Sequence, residues 1–217
     1  MSARSRFAAI AMLLVCVGLD PIRGAQLGGR SAEEWIKTLE SPNRIQGLKI
    51  DETVQHLKLK RGDVVADLGA GSGLFEPPLA EAVGRSGLVY AVDIDQGLID
   101  AINRKIAEKT LTNVKAVLGQ FTDPQLPRAS LDVAFINDVL HHIEDRTTYL
   151  TNVAKALKPS GRIALIDFHP EQGGHRNQPE LQVSKSAAEQ LMAGIDFKPV
   201  EEIPLFTEKY YVLYQRR

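Results

Sequence analysis

The chain of 217 residues is 44% hydrophobic and 24% charged, with 26 basic against 27 acidic residues and a net charge of −1. That length and composition suit one globular domain with a full central sheet and leave no room for a second. The basic residues are scattered, so the footprint of a nucleic-acid or anionic-membrane binder is absent and small-molecule chemistry is the default.

Arg4 and Arg6 precede an uncharged stretch at residues 7–19, followed by Asp20-Pro21 and small residues at Gly24-Ala25. This pattern predicts a secretory signal peptide in residues 1–25. The stretch is shorter than the ~20 residues that span a bilayer, so no stable membrane insertion is expected beyond this segment. Cleavage after Ala25 places Arg23 where a small residue is usual, so an uncleaved anchor or a cytoplasmic chain with a misassigned start stay open as alternatives. Cys16 is the single cysteine and falls in that segment. A mature chain therefore has no disulfide, thiolate metal site or thiol nucleophile, which suits a periplasmic or secreted protein.

Residues 26–62 read as N-terminal helices and residues 63–217 as the main domain. Ser31-Ala32-Glu33-Glu34 caps a short helix carrying Trp35, Ile36 and Leu39, and Ser41-Pro42 is expected to stop it. A second helix is expected over about residues 51–57. Strands are predicted at residues 64–68, 88–92, 114–118, 131–136 and 162–168, with helices after the first, second and fourth, the last of them carrying Tyr149, Leu150, Val153, Ala154 and Leu157. Residues 169–179 read as a surface loop, and a helix follows over about residues 183–193. Two closing strands at residues 197–203 and 209–215 are joined too tightly for a crossover, which implies antiparallel pairing. The fold class is α/β: a Rossmann-like, doubly wound, seven-stranded sheet with an antiparallel C-terminal hairpin.

The first strand ends in Asp67-Leu68-Gly69-Ala70-Gly71-Ser72-Gly73. Glycines there permit a tight turn and close approach of a ligand. A G-x-G-x-x-G dinucleotide fingerprint would need glycine where Leu74 stands. An ordinary strand-to-helix turn is the alternative for the glycines alone. Ligands of open α/β sheets bind beyond the carboxyl ends of the strands, where Asp67, Asp93, Gln120, Asn137 and Asp138 fall.

The Asp-x-Gly-x-Gly-x-Gly string resembles motif I of the class I S-adenosylmethionine-dependent methyltransferases. The resemblance runs from about Pro42 to the C-terminus, and Ser41-Pro42-Asn43-Arg44 and Tyr210-Tyr211-Val212-Leu213-Tyr214 look like a subgroup of exported bacterial members. It implies S-adenosylmethionine as cofactor, with Asp67, Gly69, Ala70, Gly71 and Gly73 at its amino-acid end, Asp93 on the ribose, and Ile94, Gln120 and Phe121 around the adenine. Asn137 would also border the cofactor. Many members have an acid where Gln120 stands, so the adenine contact here is weaker. Asp138, His141 and His142 resemble the acceptor side of small-molecule methyltransferases. As neighbours the two histidines point about 100° apart on a helix and cannot pair on one metal. His169 and His175 give only a weak metal signal, and no metal site is expected. Asn-Pro-Pro-Tyr is absent and no cysteine nucleophile is available, so nucleic-acid methylation by those routes is not expected. The implied reaction is methyl transfer to a small-molecule acceptor. A non-catalytic nucleoside binder and an NAD(P)-dependent reductase are the alternatives.

Overall fold

The computed structural model describes residues 29–170, 172 and 176–217. The signal-like segment and His175 lie outside the described residues. Three short helices open the domain: α1 (Ala32–Leu39), α2 (Pro42–Leu48) and α3 (Ile50–His56). Ser31 and Glu34 form a reciprocal capping box on α1, as their spacing predicts. Ser41-Pro42 does more than stop α1. Pro42 is the first residue of α2, where its missing N–H costs nothing and its fixed φ suits a helix start, so the expected break is also a beginning.

The remaining elements alternate except that β4 follows β3, and β7 follows β6, with no helix between. They are β1 (Val64–Leu68), α4 (Glu76–Val83), β2 (Leu88–Asp93), α5 (Gln96–Glu108), β3 (Val114–Leu118), β4 (Leu131–Asn137), α6 (Arg146–Ala156), β5 (Leu157–Phe168), α7 (Lys185–Gly194), β6 (Phe197–Glu202) and β7 (Lys209–Arg216). The sheet order is β3-β2-β1-β4-β5-β7-β6. Strands β1 to β5 are parallel to one another, while β7 runs antiparallel to both β5 and β6. The seven strands, the doubly wound order and the antiparallel terminal hairpin agree with the expectation from sequence.

One boundary differs. The helical stripe was extended through Leu157, but α6 ends at Ala156 and Leu157 already has extended geometry. It pairs with Leu131, and the register then shifts before Val133 meets Arg162. This irregularity absorbs Pro159, Ser160 and Gly161 within one long strand, as proline in a sheet requires.

Both sheet faces are covered, which is why the central strands are apolar at successive positions. On one face Val65, Val89, Val133 and Phe135 pack against Leu79, Val83, Ile99 and Ile102; on the other Ala66, Ala134 and Ile136 pack against Leu150, Val153 and Met192. From β1 the chain builds outward through β2 to β3, then returns to place β4 on the opposite side of β1. The ends of β1 and β4 therefore diverge, and a crevice opens at this switch point. No helix among the described residues is long and apolar enough to cross a membrane.

Candidate active site

A cavity of about 530 Å³ occupies that crevice. Its floor is the turn after β1 and the ends of β2, β3 and β4, and Trp35, Leu39 and Arg44 of α1 and α2 line its roof. The roof is tied down through Lys105, whose Nζ donates to Glu40 Oε1 at 2.9 Å and to the Ser72 carbonyl at 2.8 Å.

The glycine turn is held from behind. Gly69 and Ala70 both donate to the Val92 carbonyl, at 2.8 and 2.9 Å, and Gly73 donates to the Ala70 carbonyl at 3.0 Å. Gly71 donates to Asp93 Oδ2 at 2.9 Å. Gly69 has a φ of 83°, and a Cβ there would lie 2.3 Å from a Val139 methyl, so backbone angle and packing both demand glycine. The N–H groups of Gly69, Ala70, Gly71 and Gly73 are thus spent internally, and the second and third residues of α4 are Pro77 and Pro78, which have none. A pyrophosphate needs such donors, so the turn suits close approach of a ligand without phosphate.

Asp93, at the end of β2, is buried against the cavity. Its Oδ1 accepts from the Asp95 N–H at 3.1 Å. Burial raises its carboxyl from the ordinary 3.8 to about 6, against the pull of the backbone donors at Asp95, Gly71 and Ile94. Ile94 and Leu98 continue an apolar wall toward Gln120 and Phe121, the latter 40% exposed at the rim. The backbone of Gln120 exchanges two hydrogen bonds with Asp123, which fixes that edge. These features fit a nucleoside: a carboxylate for a diol, an apolar slot for a planar ring, and glycines whose own N–H groups are already bonded. Asp93, Gly69, Gly71, Ile94, Gln120, Phe121 and Asn137 are thus brought to one cavity.

Asp67, Ala70 and Gly73 are not among the lining residues. Asp67 is buried beneath the turn with Glu76, which sequence reasoning missed. Asp67 Oδ2, Ser72 Oγ and both Glu76 carboxyl oxygens are buried with no hydrogen-bond partner among the described residues. Burial, reinforced by the neighbouring Glu76 charge, holds Asp67 well above the usual carboxylate range. Burial likewise pushes Glu76 up to about 7. The signal was available, because Glu76 stands on the apolar stripe of α4 with Leu79, Ala80 and Val83.

The other end of the cavity is polar. Asp138 follows β4 with a φ of 58°, and its Oδ2 accepts from Lys209 Nζ at 2.7 Å. His141 and His142 lie in a 3₁₀ turn, Leu140–His142, not on an α-helix. Their rings do not diverge: the centroids are 4.1 Å apart. Asp167, near the end of β5, accepts from the His141 backbone N–H at 3.1 Å and sits 2.6 Å from His141 Nδ1. Both residues are buried. Asp167 and Lys209 were also missed. Asp167 obeys the strand-end rule already applied to Asp93 and Asp138, and an antiparallel β7 must begin at the end of the sheet where the parallel strands finish.

The chain is similar to known methyltransferases. A demethylmenaquinone methyltransferase of Geobacillus sp. (strain WCH70) is 27% identical over 117 residues, covering 54% of this chain and 50% of that protein. A 27-O-demethylrifamycin SV methyltransferase of Amycolatopsis mediterranei (strain S699) is 30% identical over 121 residues, 54% of this chain and 43% of the relative. The chain thus spans about half the length of the curated relatives it matches. Among solved structures, a SAM dependent methyltransferase from Aquifex aeolicus superposes with a TM-score of 0.77 at 22% identity, covering 85% of this chain and 98% of that one, and shows the shared fold. Residues 66–165 match the model of a methyltransferase domain, and this match, the relatives and the shared fold support a class I S-adenosylmethionine-dependent methyltransferase.

Proposed function

We propose that this protein transfers a methyl group from S-adenosylmethionine to a small-molecule acceptor. The observation that carries the reading is a single cavity with a nucleoside-shaped end at Asp93 and a buried histidine–carboxylate pair, His141 and Asp167, at the other. When bound, the cofactor supplies an electrophilic methyl group whose leaving thioether needs no proton. Asp93 would accept hydrogen bonds from the ribose diol, and Ile94, Leu98 and Phe121 would flank the adenine, with Gln120 at its edge. The amino-acid end would lie over Gly69 and Gly71, toward Asn137.

The protein then has two tasks: orienting an acceptor and, where its nucleophile carries a proton, removing it. An ionised Asp167 at 2.6 Å favours the tautomer with the proton on His141 Nδ1 and the basic lone pair on Nε2. His141 can then take a proton from an acceptor hydroxyl or ammonium at Nε2. Asp138 is engaged by Lys209, so it acts as a fixed carboxylate and not as this base. His142 packs on the ring of His141 and restricts its rotation. The roof of α1 and α2 keeps water from the reacting atoms.

Titration calorimetry with S-adenosylhomocysteine and with NADP tests the cofactor; binding of NADP alone would overturn the reading. Methyl-labelled S-adenosylmethionine incubated with a small-molecule extract tests transfer. His141→Ala should retain S-adenosylhomocysteine binding and lose about a hundredfold or more in labelling, the range for general-base catalysis. Loss of binding with the histidine would place it at the cofactor instead. We also propose that residues 1–25 direct export, on the strength of the uncharged stretch and its cationic start. N-terminal sequencing of fractionated cells checks this: an intact Met1 or Ser2 terminus in the cytosol refutes it.

A further inference from the structure

We propose that Lys105 is a positioning residue that latches the α1 roof onto the glycine turn, and that the cofactor enters and leaves as this latch opens. The inference rests on reading the cavity as the cofactor site. Helix α1 has no fully buried residue, so little apolar packing holds it down, yet it supplies Trp35, Thr38 and Leu39 to the cavity wall. Its first residue is seated on α5, where a Cβ on Gly97 would lie 2.6 Å from Ala32 Cβ. Its last residue, Leu39, reaches the turn, with Cδ1 3.0 Å from the place a Cβ on Gly71 would take. The roof therefore rests on backbone that itself lines the cavity.

Lys105 fastens that end. From the last turn of α5 its stem passes Gly73, with Cδ 3.6 Å from where a Cβ would stand, and its Nζ bridges Glu40, the C-cap of α1, and the Ser72 carbonyl. One ammonium thus joins the end of the roof to the turn beneath it. A second observation points the same way. A carboxylate at a helix C-terminus opposes the helix dipole, so Glu40 is ill placed for α1 alone and is compensated by Lys105. The two side chains are 21% and 37% exposed, so the ion pair is reached by solvent and weakens with salt. Such a bond breaks and reforms at little cost, whereas buried packing would hold the roof shut. A methyl donor is spent in each turnover, so a roof over it has to open every time. The proton transfer assigned to His141 makes no use of Lys105, and the roof accounts for its placement.

Stopped-flow release of S-adenosylhomocysteine and amide hydrogen exchange, both on the full chain, test the latch in Glu40→Ala, Lys105→Met and the double variant. Lys105 also attracts the charge of the buried Glu76, and Glu40→Ala leaves that interaction alone. By helix propensity and dipole, alanine at position 40 would firm α1. Amides of α1 that instead exchange about threefold or more faster, with those of β1 and β2 unchanged, report the lost latch. Release should quicken about threefold or more in Glu40→Ala and about tenfold in Lys105→Met, with the double variant no faster than Lys105→Met. Raising salt from about 50 mM to about 0.5 M should speed release from wild type and leave Lys105→Met unchanged. Release from Glu40→Ala at the wild-type rate, or the same salt dependence in wild type and Lys105→Met, overturns the latch. Wild type that binds no S-adenosylhomocysteine overturns the proposed function instead, and exchange of the α1 amides then decides the latch by itself: faster in both single variants upholds it, and unchanged overturns it.

Discussion

Asp93→Ala should weaken ligand binding and remove a pH dependence of stability that is fixed by the burial of the carboxyl. Its folded value is raised from 3.8 to about 6, so the ionised form is penalised in the native state. The penalty is absent below the unfolded value, grows between the two, and is complete above the folded one. A shift of that size corresponds to about 3 kcal/mol, of which about 2 kcal/mol develops between roughly pH 4.5 and pH 7.5. Alanine removes this slope, and it also leaves the Gly71 and Asp95 N–H groups without their acceptor, at about 1–3 kcal/mol each and independent of pH. Urea unfolding of both proteins at the two pH values isolates the first effect. Relative to wild type, the variant should improve by about 2 kcal/mol on going to the higher pH. In the same variant, S-adenosylhomocysteine affinity should fall by about 1.5–3 kcal/mol, the range for hydrogen bonds to a charged group. A stability difference that does not move with pH would refute the buried ionised carboxyl, and an unchanged affinity would remove Asp93 from the ribose.

Two further perturbations probe the turn. Gly69→Ala places a Cβ 2.3 Å from Val139 at a φ of 83°, so denaturant unfolding should show a loss of about 2–4 kcal/mol from overpacking and left-handed strain. The double variant with Val139→Ala should recover the steric part, and a single variant as stable as wild type would refute the packing. Glu76→Gln removes a carboxyl whose buried charge is disfavoured up to about pH 7. Its folded value is raised, so the wild-type penalty grows from the ordinary value of 4.5 to about 7 and persists above it. The variant's stability relative to wild type should therefore rise across that window, as urea melts on either side of it would show, and a flat difference would contradict the burial.

The fold was legible because its signals are local. Alternating apolar strands and amphipathic helices define each βα unit, and the short link before β7 leaves antiparallel pairing as the sole option. What was missed depends on non-local context. Nothing in Ser41-Pro42 distinguishes a helix stop from a stop followed at once by a new helix; packing of Leu48 and Val54 under the sheet decides it. Leu157 continues the stripe of α6, yet its pairing with Leu131 across the sheet draws it into β5. Asp67 carried a functional expectation from its place before the glycines, but α4 packs over it and Glu76 meets it there, so the pair lies under the turn and off the cavity wall.

The two ends of the cavity differ in how the chain assembles them, and this explains why one was readable and the other was not. Gly69, Gly71 and Asp93 come from adjacent βα units, and backbone hydrogen bonds lock the turn to β2, so their spacing along the chain is set by the fold itself. The opposite end gathers Arg44 from α2, Asp138 and His141 after β4, Asp167 and Phe168 from β5, and Lys209 from β7. No spacing rule links these positions. They meet because the terminal hairpin reverses direction, so that β7 starts beside the end of β5 and Lys209 faces Phe168 in register. The hydrogen bonds that shape the glycine turn do not pass through Arg44, His141 or Lys209. Acceptor specificity can therefore change at this end while the turn and Asp93 keep their geometry.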